Sequence, residues 1–256
     1  MSDAVLQVEP WDDAVALITL NRPQRRNALS IQLMTALCEA LDALATDPRR
    51  RVAIIRGAGP VFCSGMDLNE SADAGVARQS AEWVARTFET VTQSPLVTIA
   101  AAHGAALAGG GGLLACCDLA VAAEELHIGF PEVRRGLIPA LVASALQGRL
   151  RDGELRELLL LGEPVSAQRA TQLGLVQRLV PAERLLEEAK TLAASIVAGA
   201  PHAVRQTKQL LLELRRTPAA LAASLALDAH QHVRGGAEAA EGLAAFLERR
   251  EAKWPS

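Results

Sequence analysis

Four consecutive glycines, Gly109-Gly110-Gly111-Gly112, follow Leu107-Ala108 and separate a strand-like segment from an apolar helix-like one; no other feature constrains this chain so much. Val97-Thr98-Ile99-Ala100-Ala101-Ala102 has the β-branched, apolar look of a buried strand, and Leu113-Leu114-Ala115-Cys116-Cys117 reads as a buried helix. Glycines at such a junction expose backbone N–H groups at the positive end of a helix dipole. Those groups hold a phosphate, or stabilise a carbonyl oxygen that becomes an oxyanion. The same run also serves as a turn that lets a helix pack closely on a sheet, and the run alone leaves both readings open.

A second segment narrows the choice. Phe62-Cys63-Ser64-Gly65-Met66-Asp67-Leu68 follows the strand-like Val52-Ala53-Ile54-Ile55-Arg56 after a Gly/Pro turn and again places a glycine where the backbone can approach a ligand. Two separate N–H sources are what a two-donor oxyanion hole needs. A dinucleotide fingerprint would require G-x-G-x-x-G near the start of a βαβ unit and an acidic residue about 20 positions later. Here the run lies mid-chain, the glycine spacing differs, and Glu132 follows a proline rather than ending a strand.

The segment at 14–20 reads as a further strand, and Ser30 caps an amphipathic helix with Ile31, Met34, Leu37, Cys38 and Leu41 inward. From about residue 142 the pattern is mainly helical, with helices expected at 183–197, 202–215, 218–233 and 237–250 and a break at Gly235-Gly236. Leu158 to Leu161 and Leu210 to Leu212 present apolar residues on more than one helical face, so either a large core or another subunit covers them. With 256 residues, half of them apolar, the chain is long enough for a sizeable core. A net charge of -3 argues against nonspecific binding to nucleic acid or an anionic membrane. No apolar run reaches the ~18 residues of a membrane span, and residues 1–13 do not read as a secretory signal. Cys38, Cys63, Cys116 and Cys117 show no C-x-x-C spacing, which suits a reduced cytoplasmic protein. A nucleophilic Cys63 would need an activating histidine, and none is identifiable. His230 and His232, at i and i+2, splay apart on a helix, so no metal site is expected.

Five segments in register resemble the crotonase (enoyl-CoA hydratase/isomerase) superfamily. They are 20–29 with Asn21-Arg22-Pro23, 62–68, 105–118, Phe130-Pro131-Glu132, and the tail 238–250. The resemblance spans nearly the whole chain and implies an α/β (α+β) fold, a spiral of ββα units over 1–195. A helical C-terminal region, 196–256, would then mediate trimer contacts, giving a homotrimer or homohexamer with Leu221, Ala222, Leu225, Ala226 and Ala229 at the interface. It also implies an acyl-CoA substrate whose thioester oxygen takes hydrogen bonds from the backbone N–H groups of Met66 and Gly109. Coenzyme A belongs to the substrate, and no separate cofactor is expected. By motif position, Arg25 or Arg26 would meet the CoA phosphates, with Phe246 and Arg249 near the adenine and Lys208 as a further contact.

The departures from the family pattern bear on the reaction. Hydratases of the family carry two glutamates; here the second is retained as Glu132, while the first position is Gly112. Specialised relatives place an Asp two turns beyond the second glutamate, and this chain has Ala140. A lone carboxylate can shuttle a proton between the α and γ carbons of a thioester, whereas concerted hydration usually recruits a pair. Three readings follow: an enoyl-CoA isomerase working through Glu132, an enoyl-CoA hydratase whose water is held by other groups, or a non-catalytic acyl-CoA binder.

Overall fold

The computed structural model describes residues 4–72 and 74–254. They form two compact units, 1–193 and 194–256. The first begins with β1 (Leu6–Pro10), β2 (Val15–Leu20), α1 (Ile31–Ala45), β3 (Val52–Gly57), α2 (Leu68–Ala72) and α3 (Ala74–Gln93). It continues through β4 (Val97–Ala102), β5 (Ala105–Leu107), α4 (Gly109–Cys116), β6 (Leu119–Ala123), β7 (His127–Gly129), α5 (Ala140–Leu146) and α6 (Asp152–Leu161). After these come β8 (Val165–Ser166), α7 (Ala167–Gln172), β9 (Arg178–Val180) and α8 (Leu185–Val197), within which the boundary falls.

The larger sheet has the order β1-β2-β3-β4-β6-β9, parallel except for β1. Ile18, Ile55, Ala100 and Ala120 form one row across its strands and Leu17, Ile54, Ile99 and Leu119 the next. Both rows are buried apart from half-buried Leu119, so both faces are covered. That is why these strands read as continuous apolar runs rather than as an alternation. A second layer stacks beside it. β5 pairs parallel with β7, and isolated parallel bridges join Cys63 to Ala106 and Leu29 to Met66. Each of β2, β3, β4 and β6 therefore leads into a segment of the second layer; after the first three a helix follows before the chain returns. This stack is the ββα spiral.

Ser30 Oγ accepts from the Leu33 N–H at 3.2 Å and starts α1, which buries Leu33, Met34, Leu37, Cys38 and Leu41. Leu33 joins the expected inward face, and Ile31 is only half-buried. Two differences from the sequence reading concern helices and strands. α4 begins at Gly109, so the four glycines lie inside the helix rather than before it. The short strands β8 and β9 interrupt the stretch read as mainly helical.

The second unit holds α9 (Pro201–Arg216), α10 (Ala219–Arg234) and α11 (Ala237–Glu248), with the break falling at Gly235-Gly236. The Glu238 carboxylate caps α9, accepting from the N–H groups of His202 and Ala203 at 2.7 and 2.9 Å. Leu221, Leu227, Leu243 and Leu247 are exposed on α10 and α11. No helix among the described residues is long and apolar enough to cross a membrane.

Candidate active site

A cavity of about 600 Å³ opens in the first unit where the second layer meets the start of α4, and Arg25, Arg26, Met66, Gly109 and Glu132 all line it. Two stacked loops bring the first N–H groups there. In the bridge between Leu29 and Met66, the Leu29 N–H donates to Gly65 O and the Asp67 N–H to Leu29 O, so both ladder bonds pass around Met66. The Met66 N–H is left without an acceptor among the described residues, as is the N–H of Gly109, the first residue of α4. The second of these is an ordinary orphan donor of a helix start. Gly65, at φ +95°, holds the two loops together: a Cβ there would lie 2.8 Å from Leu107 O and 3.1 Å from Gly109 N. Ala108 turns the chain from β5 into α4 at φ 49°, a left-handed value that costs a side-chain-bearing residue energy, while its N–H donates to Gly129 O at 2.7 Å.

Glu132 lies in the single turn 131–135, started by Pro131 and closed at Gly136 with φ 73°. Its Oε2 is buried in the cavity wall without a hydrogen-bond partner among the described residues. Burial pushes this carboxyl above its ordinary range, against the smaller opposing pulls of its own N–H and of the Arg135 guanidinium. A carboxylate in that state is poised to take and return a proton. Asp67 is the other carboxylate of the lining, and it is tied down: Oδ2 pairs with Arg22 Nη2 at 2.9 Å and Oδ1 accepts from Asn69 N at 3.1 Å.

The glycine run combines the two readings that the sequence left open. Gly109 contributes the free N–H, and the next three are packing residues. A Cβ at Gly110 would sit 2.2 Å from Cys63 O, one at Gly111 2.7 Å from the Phe130 ring, and one at Gly112 2.3 Å from the Phe88 ring. Position 112 is thus outside the cavity lining, its side-chain volume taken by Phe88. Ala140 does line the cavity and brings no charge to it.

Sequence reasoning missed the frame that holds the Met66 loop. Besides its pair with Asp67, Arg22 donates to Ala28 O. Fully buried Asn27 donates through Nδ2 to Ala58 O and Val61 O at 2.8 and 2.9 Å and accepts from Arg22 N at 2.9 Å. Arg22 stands in the Asn21-Arg22-Pro23 segment, the available signal, which served there only to carry the family resemblance. Arg25 and Arg26 are exposed at the cavity, as is Arg135. Lys208 is buried on α9, whereas Phe246 on α11 is 80% exposed and Arg249, at φ 54°, is exposed just after that helix. These three lie in the second unit.

Cys63 offers no nucleophile: complete burial pushes its thiol up to about 12, and Sγ donates to Asn27 O at 3.1 Å. Among the described residues no group of three His, Cys, Asp or Glu side chains is placed to hold a metal ion.

Residues 11–256 match the family model described as Enoyl-CoA hydratase/isomerase. A relative from Thermus thermophilus is 39% identical over 92% of this chain and 95% of its own length. The 2,3-dehydroadipyl-CoA hydratase of Escherichia coli is 34% identical over 92% of this chain and 93% of its own. The crystal structure of an enoyl-CoA hydratase from Mycobacterium smegmatis superposes with a TM-score of 0.93 at 32% identity, covering 98% of both chains. With the ββα spiral and the motifs in place, these matches establish that the chain belongs to the enoyl-CoA hydratase/isomerase family.

Proposed function

We propose that this enzyme moves a double bond in an enoyl-CoA thioester from the 3,4 to the 2,3 position, with Glu132 as its single acid/base. The observation that carries the reading is the buried, unpartnered Glu132 Oε2 in a cavity whose other carboxylate, Asp67, is engaged by Arg22. The thioester oxygen is held by the N–H groups of Met66 and Gly109. Glu132 takes the proton from C2; the electron pair passes into the carbonyl and is held as an enolate by the two donors. The protonated Glu132 then delivers the same proton to C4, and the double bond forms between C2 and C3. Nothing is gained or lost from solvent. Loss of one such donor typically costs 10²–10³ in rate, and because both are backbone groups, side-chain substitution does not remove them.

Arg25 and Arg26 are assigned to the CoA phosphates, supported by their exposure at the cavity and by the fit of a guanidinium to phosphate oxygens. Lys208, Phe246 and Arg249 are assigned to the adenosine end on family position alone. A homotrimer or homohexamer follows from the same family logic, with the exposed leucines of α10 and α11 as its apolar surface.

Hydration of a 2-enoyl-CoA is the second reading, favoured by the names of relatives such as the E. coli hydratase and by the polar Ser64 and Asn69 of the lining, which suit a bound water. Incubation with separate panels of 2-enoyl-CoA and 3-enoyl-CoA, followed by mass and ultraviolet absorbance, tests the choice. Isomerisation leaves the mass unchanged and creates the conjugated chromophore; hydration adds the mass of water and removes it. Hydration at a typical hydratase rate with no double-bond migration overturns the first reading. A rise in melting temperature with acyl-CoA but no turnover of any panel member leaves only a binding protein.

A further inference from the structure

We infer that Phe88 restricts this site to proton transfer, because its ring fills the volume that a second carboxylate, at position 112, would need. The inference rests on the reading of Glu132 as the single acid/base. A Cβ on Gly112 would stand 2.3 Å from Phe88 Cζ, 2.8 Å from Cε2 and 3.3 Å from Cε1, so even an alanine collides with the ring before any carboxylate is added. Displacing the ring would disturb the packing around it. Phe88 is 6% exposed in the core of the first unit, on α3, which packs against both α1 and α4. Val84, one turn earlier on the same face of α3, lines the cavity. α3 thus presents an apolar wall that reaches from the cavity to Gly112.

The chemistry of the two reactions differs at this wall. In hydration the water oxygen bonds to C3, one water O–H breaks, and C2 gains a proton, so a base for the water must stand beside the acid that serves C2. With a ring in the place of one carboxylate the attacking water has no partner there. Isomerisation needs neither the water nor the second group. Gly112 and Phe88 are therefore one device: a glycine inside a helix is intrinsically unfavourable, and here it makes room for the ring.

The test is a two-residue cycle read by melting temperature and by turnover of both substrate panels. Gly112→Glu alone should melt lower by on the order of 5 °C or more and gain no hydration. Phe88→Ala with Gly112→Glu should recover part of that loss relative to the sum of the single changes and hydrate 2-enoyl-CoA roughly 10²-fold faster than the wild type. A Gly112→Glu protein that melts like the wild type, or hydrates as fast as the double variant, overturns the inference. So does a folded double variant with no gain in hydration. Should the double variant not fold, Gly112→Ala supplies the same cycle with less volume: it should lower the melting temperature beside Phe88 and leave it level or higher beside Phe88→Ala. Equal effects in the two backgrounds overturn the inference. Wild-type protein that isomerises no 3-enoyl-CoA overturns the reading of the reaction instead, and the thermal coupling of positions 88 and 112 is measured independently of it.

Discussion

Glu132→Gln removes one titratable proton at almost constant volume, so turnover and stability should move in opposite directions. Burial is the main reason the Glu132 carboxyl lies above its ordinary range. A group whose pKa is raised by folding binds its proton more tightly in the folded chain. It favours folding below the unfolded-state value of about 4.3, and that contribution is lost as pH rises through the higher folded-state value. At neutral pH the wild type therefore holds a poorly solvated carboxylate whose Oε2 has no partner, and the amide variant does not. The variant should melt higher than the wild type around pH 7–8, and the gap should close toward about pH 4. Turnover should fall by about 10²–10⁴, which at 1.36 kcal/mol per factor of ten corresponds to about 2.7–5.4 kcal/mol on the barrier. In the wild type, kcat/KM should rise with pH along a limb whose midpoint lies above an ordinary carboxyl. Thermal melts across this pH range and initial rates of chromophore formation from a 3-enoyl-CoA measure both effects. Full activity in Glu132→Gln would remove this residue from the mechanism, and a lower melting temperature at neutral pH would refute the argument from desolvation.

Three further outcomes are expected. Ser80 on α3 is fully buried with its hydroxyl unpartnered among the described residues, so Ser80→Ala should stabilise by about 1 kcal/mol, roughly 2–4 °C; a lower melting temperature would contradict this. Asp67→Asn removes the charge partner of Arg22, leaving it only the Ala28 carbonyl, and loosens the turn that carries Met66, so a loss of about 2–4 kcal/mol is expected together with weaker turnover, with unchanged denaturant midpoint and rate as the refuting result. Light scattering at micromolar concentration should give a trimer or hexamer, and a strictly monomeric mass would count against α10 as an interface.

The strands β2, β3 and β4, the Ser30 cap and the C-terminal helices were legible because they rest on local rules: runs of Val, Ile and Ala for strands buried on both faces, a hydroxyl at a helix start, and apolar residues at helical spacing. The glycine run and the Phe62 to Leu68 segment announced two backbone approaches, and the missing glutamate at Gly112 was visible as a departure from a known pattern. What stands in its place was not. Phe88 lies 24 positions earlier on another helix, and nothing in a lone phenylalanine tells which glycine it will press against. The left-handed backbone of Ala108 was hidden by its alanine side chain, since the turn is imposed by the hydrogen bond to Gly129 and the start of α4. The start of α4 itself was placed too late because glycine disfavours helix, a preference of roughly 1 kcal/mol per residue that close packing against Cys63, Phe130 and Phe88 outweighs. The chain by itself determined β2, β3 and β4, the cap of α1 and the C-terminal helices, and it marked Glu132 as the candidate carboxylate. Only the tertiary fold decided that one oxygen of this carboxylate is buried without a partner among the described residues and that an aromatic ring fills the second position, because burial and contact depend on residues far apart in sequence.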